Sequence, residues 1–357
     1  MKRLLLALAM FALSVFALVA CAPARTLDRF VERQPDPIKD QGAHNVPVEW
    51  WYFNGHLETK SGPIAMASTI FKVQFPAEAK YGLIPIQSVL EQFHFGHFVV
   101  IDKTSGKMDY AEHTTLLGKT TASSSTERMD NRLADWRSTR EADGSYTLRS
   151  SLNDGRVMDL KLVPERPEVI HGPGWSGNLQ TGRSYYYSAT RLKVSGTFGG
   201  EPVTGRVWFD HQWSPLEGDG GASITPRWEW FSLQLEDGRD IMVYQLRGPD
   251  GKPVDAFISS TTGDGRAVES RKFQLSPWKF FKAPSGTSYP TAWFLKLEDG
   301  TALTIRATVE NQEIPSQGSA GFPYYEGAVT VTGSVRGEGF MELTGYAPLP
   351  ANPFISR

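Results

Sequence analysis

Three short segments constrain this chain more than any other feature: EWWYFNGHL (Glu49 to Leu57), GRVWFDHQW (Gly205 to Trp213) and RWEWFSLQL (Arg227 to Leu235). Each is an aromatic strand carrying an isolated acid or histidine. A β-strand turns successive side chains to opposite faces, so Trp208 and Asp210 share one side of their strand while Phe209, His211 and Trp213 share the other. One of the polar groups is therefore expected to point inward. Glu229, between Trp228 and Trp230, repeats the arrangement, and the pattern predicts a barrel or sandwich lined by rings and a few polar groups.

The rest of the chain reads almost wholly as strands and tight turns. LETKSGP, IDKTSGK, READGSYT, SLNDGR, LEDGRD and LEDGTA each place a glycine where a hairpin needs a positive φ. Ser184 to Gly200 and Ala328 to Tyr346 are long strand-like runs ending in small residues, which suit bends around a barrel corner. No dinucleotide-binding glycine fingerprint or phosphate-binding loop interrupts them. The fold class expected is all-β.

The N-terminus reads as an address. Lys2 and Arg3 precede an apolar run from Leu4 to Ala20, which ends in Leu18-Val19-Ala20-Cys21. This is the form of an export signal closed by a lipobox, with residues 1–21 as signal peptide and Cys21 as the lipidated residue. Cys21 is also the only cysteine of the 357 residues, so no intramolecular disulfide is available. Ala22 is not the aspartate of an inner-membrane retention signal, which in a Gram-negative host points to an outer-membrane lipoprotein facing the periplasm.

Residues 22–47 are polar and proline-containing and are expected to form a tether or strap. The remaining length suits two packed domains. The proline- and glycine-rich stretch from Pro164 to Gly182 suggests a boundary that divides them into 48–180 and 181–357. With a net charge of −2 and basic residues scattered among acids, nucleic acid is an unsuitable partner.

VEWWYFNGHL, SYYYSATRLKVSGT with VTGRVWFDHQW, WEWFSLQLEDGRDIMVYQLR, and YYEGAVTVTG with MELTGY together resemble the AttH and carotenoid 1,2-hydratase group of lipocalin-like proteins, over about Val48 to Tyr346. The resemblance implies two consecutive lipocalin-like β domains with ligand chemistry in or between their cavities. It also implies hydration, cyclisation or binding of apolar, terpenoid-like molecules without a cofactor. Alkene hydration of that kind needs an acid that protonates carbon, a pocket that stabilises the cation and a held water. A neutral buried Asp or Glu can be the acid, and aromatic faces can stabilise the cation.

Asp210 and His211 lie where the resemblance places an Asp-His strand motif, and Asp210 is the leading candidate proton donor. His211 points the other way by alternation, so direct partnership needs a bulge. Trp208 and Trp213 flank them as ligand surfaces. In the first segment Tyr52, Asn54 and His56 share a face, which makes His56 a candidate acid or base, while Glu49 sits opposite and suits a structural hydrogen-bonding role. His94 and His97 face opposite ways on a strand, which argues against a metal pair and leaves His94 as a pocket residue. Tyr185 and Tyr187, with Arg191, form another candidate ligand surface, and Trp228 and Trp230 could stack on an apolar substrate. Glu326 precedes a strand and Glu342 is a possible buried carboxylate.

No metal is expected, and the absence of a G-x-S-x-G elbow counts against a serine hydrolase. The partners expected are an apolar small molecule and a membrane reached through the lipid. A non-catalytic carrier would use the same cavity, and an envelope interaction protein would instead expose its aromatic residues.

Overall fold

The computed structural model describes residues 26–347, apart from residues 78, 82–83, 86, 88–89, 119, 218–225 and 264–265. The signal segment and Cys21 lie outside the described residues. All six glycines expected to turn hairpins have positive φ: Gly62, Gly106, Gly144, Gly155, Gly238 and Gly300, from +75° to +127°. Between such turns the chain runs as antiparallel strands that build two curled half-barrel sheets.

The first sheet is ordered Met108–Thr114, Gln92–Asp102, Gly62–Gln74, Val48–Thr59, Glu201–Ser214, Gly182–Phe198, Val157–Pro164, Tyr146–Ser151, Trp136–Arg140, Asp130–Leu133 and Ala122–Ser124, with Val169–Asn178 also paired to Gly182–Phe198. The second is ordered Ala267–Ser270, Pro253–Thr261, Asp240–Arg247, Arg227–Leu235, Gly337–Thr344, Tyr324–Gly333, Ala302–Ala307, Ser288–Lys296 and Gln274–Lys282, with Glu313–Ile314 beside Tyr324–Gly333.

This sheet membership moves the division expected at residues 180/181. Strands Gly182–Phe198 and Glu201–Ser214 belong to the first sheet, and the chain passes to the second after residue 217. The glycine-rich stretch that resembled a linker is the strand Val169–Asn178. Its register breaks between Ile170 and Trp175, and Gly172, Gly174 and Gly177 adopt positive φ there. Irregular strand and linker share the same composition.

Each sheet has its own core. Trp51, Phe53, Leu57, Phe209, Tyr187 and Trp213 belong to the first, and Phe231, Trp293, Tyr325 and Met341 to the second. A third buried cluster lies between the sheets, built from Tyr52, Tyr186 and Trp208 on one side and Trp230, Tyr244, Tyr324 and Phe340 on the other. Strand Val48–Thr59 serves two cores because both of its faces are covered: Trp51 and Phe53 turn into the first sheet's core while Tyr52, Asn54 and His56 turn to the seam. Close approach of the neighbouring strands Arg227–Leu235 and Gly337–Thr344 within the second sheet depends on glycine: a Cβ on Gly339 would lie 1.9 Å from the Ser232 carbonyl oxygen, so no side chain fits there. The N-terminal strap is docked: Phe30 stacks on Tyr185 at 5.0 Å and His44 on Trp213 at 4.1 Å.

Candidate functional site

The chemistry gathers at the seam. Glu326 and Glu342 are directly paired across adjacent antiparallel strands, so their side chains emerge on one face. They line a cavity of about 200 Å³ walled by Trp50, Phe71, Trp228 and Tyr324, with Tyr52, Thr69 and Thr344 completing the polar rim. Tyr52, from the first sheet, donates its hydroxyl to Oε1 of Glu326. The proton of the neutral acid then resides on the other oxygen. Thr344 donates to Glu342 at 3.1 Å.

Both carboxyls resist ionisation. Burial raises Glu326 well above the usual carboxylate range, and repulsion from Glu342 adds to it. Burial pushes Glu342 up to about 7. Two like charges on directly paired strand positions cannot both form readily, so near neutral pH the pair holds at least one proton. Trp228 lines the cavity wall, and its Nε1 is buried with no hydrogen-bond partner among the described residues.

Asp210 faces the same seam but stands behind the cavity wall. It is 2% exposed and accepts hydrogen bonds on Oδ1 from Ser188 and from Trp208 Nε1, the latter at 2.6 Å. Burial raises its carboxyl to about 7 against those hydrogen bonds and one from Tyr186, and the charge of Glu342 pushes the same way. Asp210 is thus a third seam carboxyl, electrostatically coupled to the pair in the cavity. Ser188 is also 2.8 Å from His171 Nε2.

His211 lies on the opposite face, as alternation requires. The strand register stays continuous through 210 and 211, and the nearby bulge falls on the partner strand between Ala189 and Leu192. In the first core His211 Nε2 is 2.9 Å from Glu49 Oε1, His44 Nδ1 is 2.7 Å from the same oxygen, and Lys72 is 3.0 Å from Oε2. Burial would raise Glu49, but the hydrogen bonds from His211 and His44 and the charge of Lys72 outweigh it and hold this carboxyl far below its ordinary value. The donor atoms of His44, Glu49 and His211 lie within 4.8 Å of one another. Their 2.7 and 2.9 Å separations are hydrogen-bond lengths, whereas tetrahedral donors at zinc bond lengths stand roughly 3.3 Å apart. With the Lys72 ammonium already against Glu49, the cluster is a closed charge network. His44 comes from the strap, and sequence reading missed it because nothing local ties it to Glu49.

The remaining candidates are dispersed. His56 bonds the Gly339 carbonyl at 2.9 Å and Lys103 at 3.2 Å, and it lines a different, polar cavity of about 530 Å³ shared with Arg191, Lys193, Arg206 and Glu338. That cavity is the larger one, yet its charges are mostly paired, and it lacks the aromatic walls and neutral acids of the seam cavity. Arg191 binds Asp240 at 2.6 Å, and Asn54 accepts from Ser232 at 2.9 Å, so both stitch the sheets together. Tyr187 meets His211 at 3.1 Å and Tyr185 holds the Val31 carbonyl. Trp213 is in the first core and Trp230 bonds Tyr186 at 3.1 Å in the seam. His94 bonds Ser124 at 3.2 Å beside another polar cavity. Of the residues singled out as ligand-binding, Tyr52 and Trp228 line the acid cavity.

Two curled half-barrel sheets, one following the other along the chain, place this protein in an all-β, lipocalin-like class. Within that class the chain belongs to the AttH-like family, whose model matches residues 33–346. An AttH-type protein from Nitrosomonas europaea has a similar structure, with 31% identity, a TM-score of 0.77, and coverage of 90% of this chain and all of that one. Kievitone hydratase from Nectria haematococca shares the fold at 16% identity, a TM-score of 0.64, and 90% and 95% coverage. No curated protein matches the chain in sequence.

Proposed function

We propose that this protein is an exported, lipid-anchored envelope protein that binds an apolar, terpenoid-like molecule in the seam cavity and adds water to an isolated double bond. The observation that carries this reading is the Glu326 and Glu342 pair, two neutral-leaning carboxyls on one wall of an aromatic cavity. Glu326, held by Tyr52, gives its proton to one alkene carbon. The cation on the other carbon lies against the faces of Trp50, Phe71 and Trp228. Water attacks that carbon, and its surplus proton passes to Glu342 in the ionised form, so the sum is alkene plus water giving alcohol. Asp210 raises the proton affinity of the pair through its charge. The hydratase name of one structural neighbour is consistent with this chemistry. The lipobox-like Leu18-Val19-Ala20-Cys21 supports the envelope location.

The test has two parts. Organic extracts of the purified protein are searched by mass spectrometry for co-purified apolar metabolites, with an unrelated lipoprotein as control. Recovered compounds and a panel of isolated-alkene terpenoids are then incubated in ¹⁸O-water. Gain of one labelled water, lost in Glu326→Gln with ligand binding retained, is the expected result. Selective binding without water addition would replace the hydratase by a carrier.

A further inference from the structure

Between Ser270 and Lys296 the sequence carries Arg271, Lys272, Lys279, Lys282 and Lys296 and no acid, in a chain whose net charge is −2. The segment folds as the hairpin of Gln274–Lys282 and Ser288–Lys296 at one end of the second sheet. Trp293 and Leu295 turn into that sheet's core and Phe281 packs against it, so alternation sends Phe280, Lys282, Phe294 and Lys296 to the outer face. Trp278, Phe280 and Phe294 are 48%, 56% and 37% exposed. Elsewhere among the described residues the large apolar side chains this exposed are aliphatic: Val31, Ile38, Val163, Leu179 and Val268. Exposed rings gathered on one hairpin mark a contact surface.

The same face carries free positive charge. The guanidinium of Arg306, on the adjacent strand Ala302–Ala307, lies 4.2 Å over the Trp278 ring, which holds the indole beside a cation. Phe294 pairs with Thr304 on that strand, two residues from Arg306. Lys279 is held by Glu310 and Arg271 by Asp255, whereas Lys282, Lys296 and Arg306 have no ion-pair partner among the described residues. Addition of a further strand is blocked at this end of the sheet: Pro277 has no N–H, and register shifts at Pro277/Lys279 and Lys279/Phe280 disturb the ladder. A partner therefore meets the rings and cations of the face rather than the backbone of the edge.

We propose that this hairpin face seats the folded body on an anionic phospholipid surface, with Trp278, Phe280 and Phe294 entering the headgroup layer and Lys282, Lys296 and Arg306 meeting lipid phosphates; this rests on the envelope location proposed above, which puts a bilayer within reach, and not on the hydration reading. An indole settles at headgroup level because its body is apolar and its N–H is a donor. Lysine stems lie along the rings while their ammonium groups stay in water. A second copy meeting this face with its own would bring the same positive charge to the contact and be repelled. Anionic headgroups neutralise that charge.

The test uses residues 22–357 without lipid, which retain every described residue, and vesicles of phosphatidylcholine with or without phosphatidylglycerol. Cosedimentation should show binding where phosphatidylglycerol is present, weakening as salt is added. Binding should fall about tenfold in Lys282→Glu combined with Lys296→Glu, and at least as far in Phe280→Ser combined with Phe294→Ser, with melting unchanged, while Leu179→Ser binds like wild type. Brominated acyl chains should quench the wild-type fluorescence, and Trp278→Phe should lose the quenching and keep the binding. No vesicle binding, equal binding without phosphatidylglycerol, or unaltered binding by the folded charge and ring variants overturns the proposal. So does self-association of the wild type that the ring variant abolishes. Labelling of the full chain with palmitate separates the two claims: lipid on Cys21 with no binding by the unlipidated chain removes the docking face alone, and binding with no lipid on Cys21 removes the anchor alone.

Discussion

Tyr52 of the first sheet donates its hydroxyl to Glu326 of the second, so the carboxyl best placed to act on a ligand is oriented by the opposite half of the molecule. Replacing Tyr52 with Phe should leave the fold intact while freeing the Glu326 carboxyl to rotate. The expected outcome is a tenfold to hundredfold fall in water addition with ligand affinity nearly unchanged. Equal loss of affinity in isothermal titration would show that Tyr52 acts by shaping the cavity.

Glu342 makes stability depend on pH in a definite direction. Its folded value of about 7 lies above its ordinary value, so the folded state holds a proton that the unfolded chain releases. The associated stability is present below the unfolded value and is lost as pH rises through about 7. Melting temperatures of wild type and Glu342→Gln should keep a constant offset near pH 4 and diverge in favour of the variant up to pH 8. The divergence should be on the order of 3 kcal/mol; parallel curves would contradict it.

Glu49 works in the opposite sense. Its folded value is depressed, so the stability it supplies exists above the unfolded value and disappears as pH falls toward the folded one. Glu49→Gln also strands Lys72, which is 5% exposed. Loss of one partner of a buried pair should cost about 3–5 kcal/mol at pH 7, read by urea denaturation, with a smaller difference between wild type and variant in acid.

Asp210 and Trp208 separate charge from packing. Asp210→Asn conserves volume and acceptor, and the native carboxyl is largely neutral below its raised value of about 7. Denaturation at pH 6 should therefore show a change below about 1 kcal/mol. Trp208→Ala empties a fully buried site and should cost about 3–5 kcal/mol. Similar losses in the two variants would mean that Asp210 is chiefly a structural anchor.

Arg191 tests the cohesion of the seam. It and Arg166 both reach Asp240, at 2.6 and 2.9 Å. Arg191→Ala leaves Asp240 one cation, and the expected loss is about 2–3 kcal/mol, with faster proteolysis between the sheets as the second readout.

The alternation of rings and polar groups was legible because side-chain period is a local property. It correctly separated Asp210 from His211 and grouped Tyr52 with Asn54 and His56. Which face met a second sheet was not legible, since both faces of Val48–Thr59 are apolar enough to be buried. Glu342 could be seen as an acid within a strand and Glu326 as an acid just before one, whereas Glu326 lies inside Tyr324–Gly333 and the juxtaposition of the two is a matter of register between strands. His44 reaches Glu49 only because the strap folds back over the first sheet. The glycines of Val169–Asn178 produced the misplaced boundary because backbone freedom looks the same in an irregular strand and in a linker.

Strand Val48–Thr59 gives alternate residues to the interior of one half-barrel and to the seam. An insertion or deletion of one residue there would exchange the two sets at once, placing Trp51 and Phe53 toward the seam and Tyr52 and Asn54 toward the interior. Lineages can therefore vary the seam cavity by substitution at Tyr52 and the second, polar cavity by substitution at His56, whereas length change in this strand is closed to them. Ligand preference in such a molecule must diversify by exchange of side chains on a fixed frame.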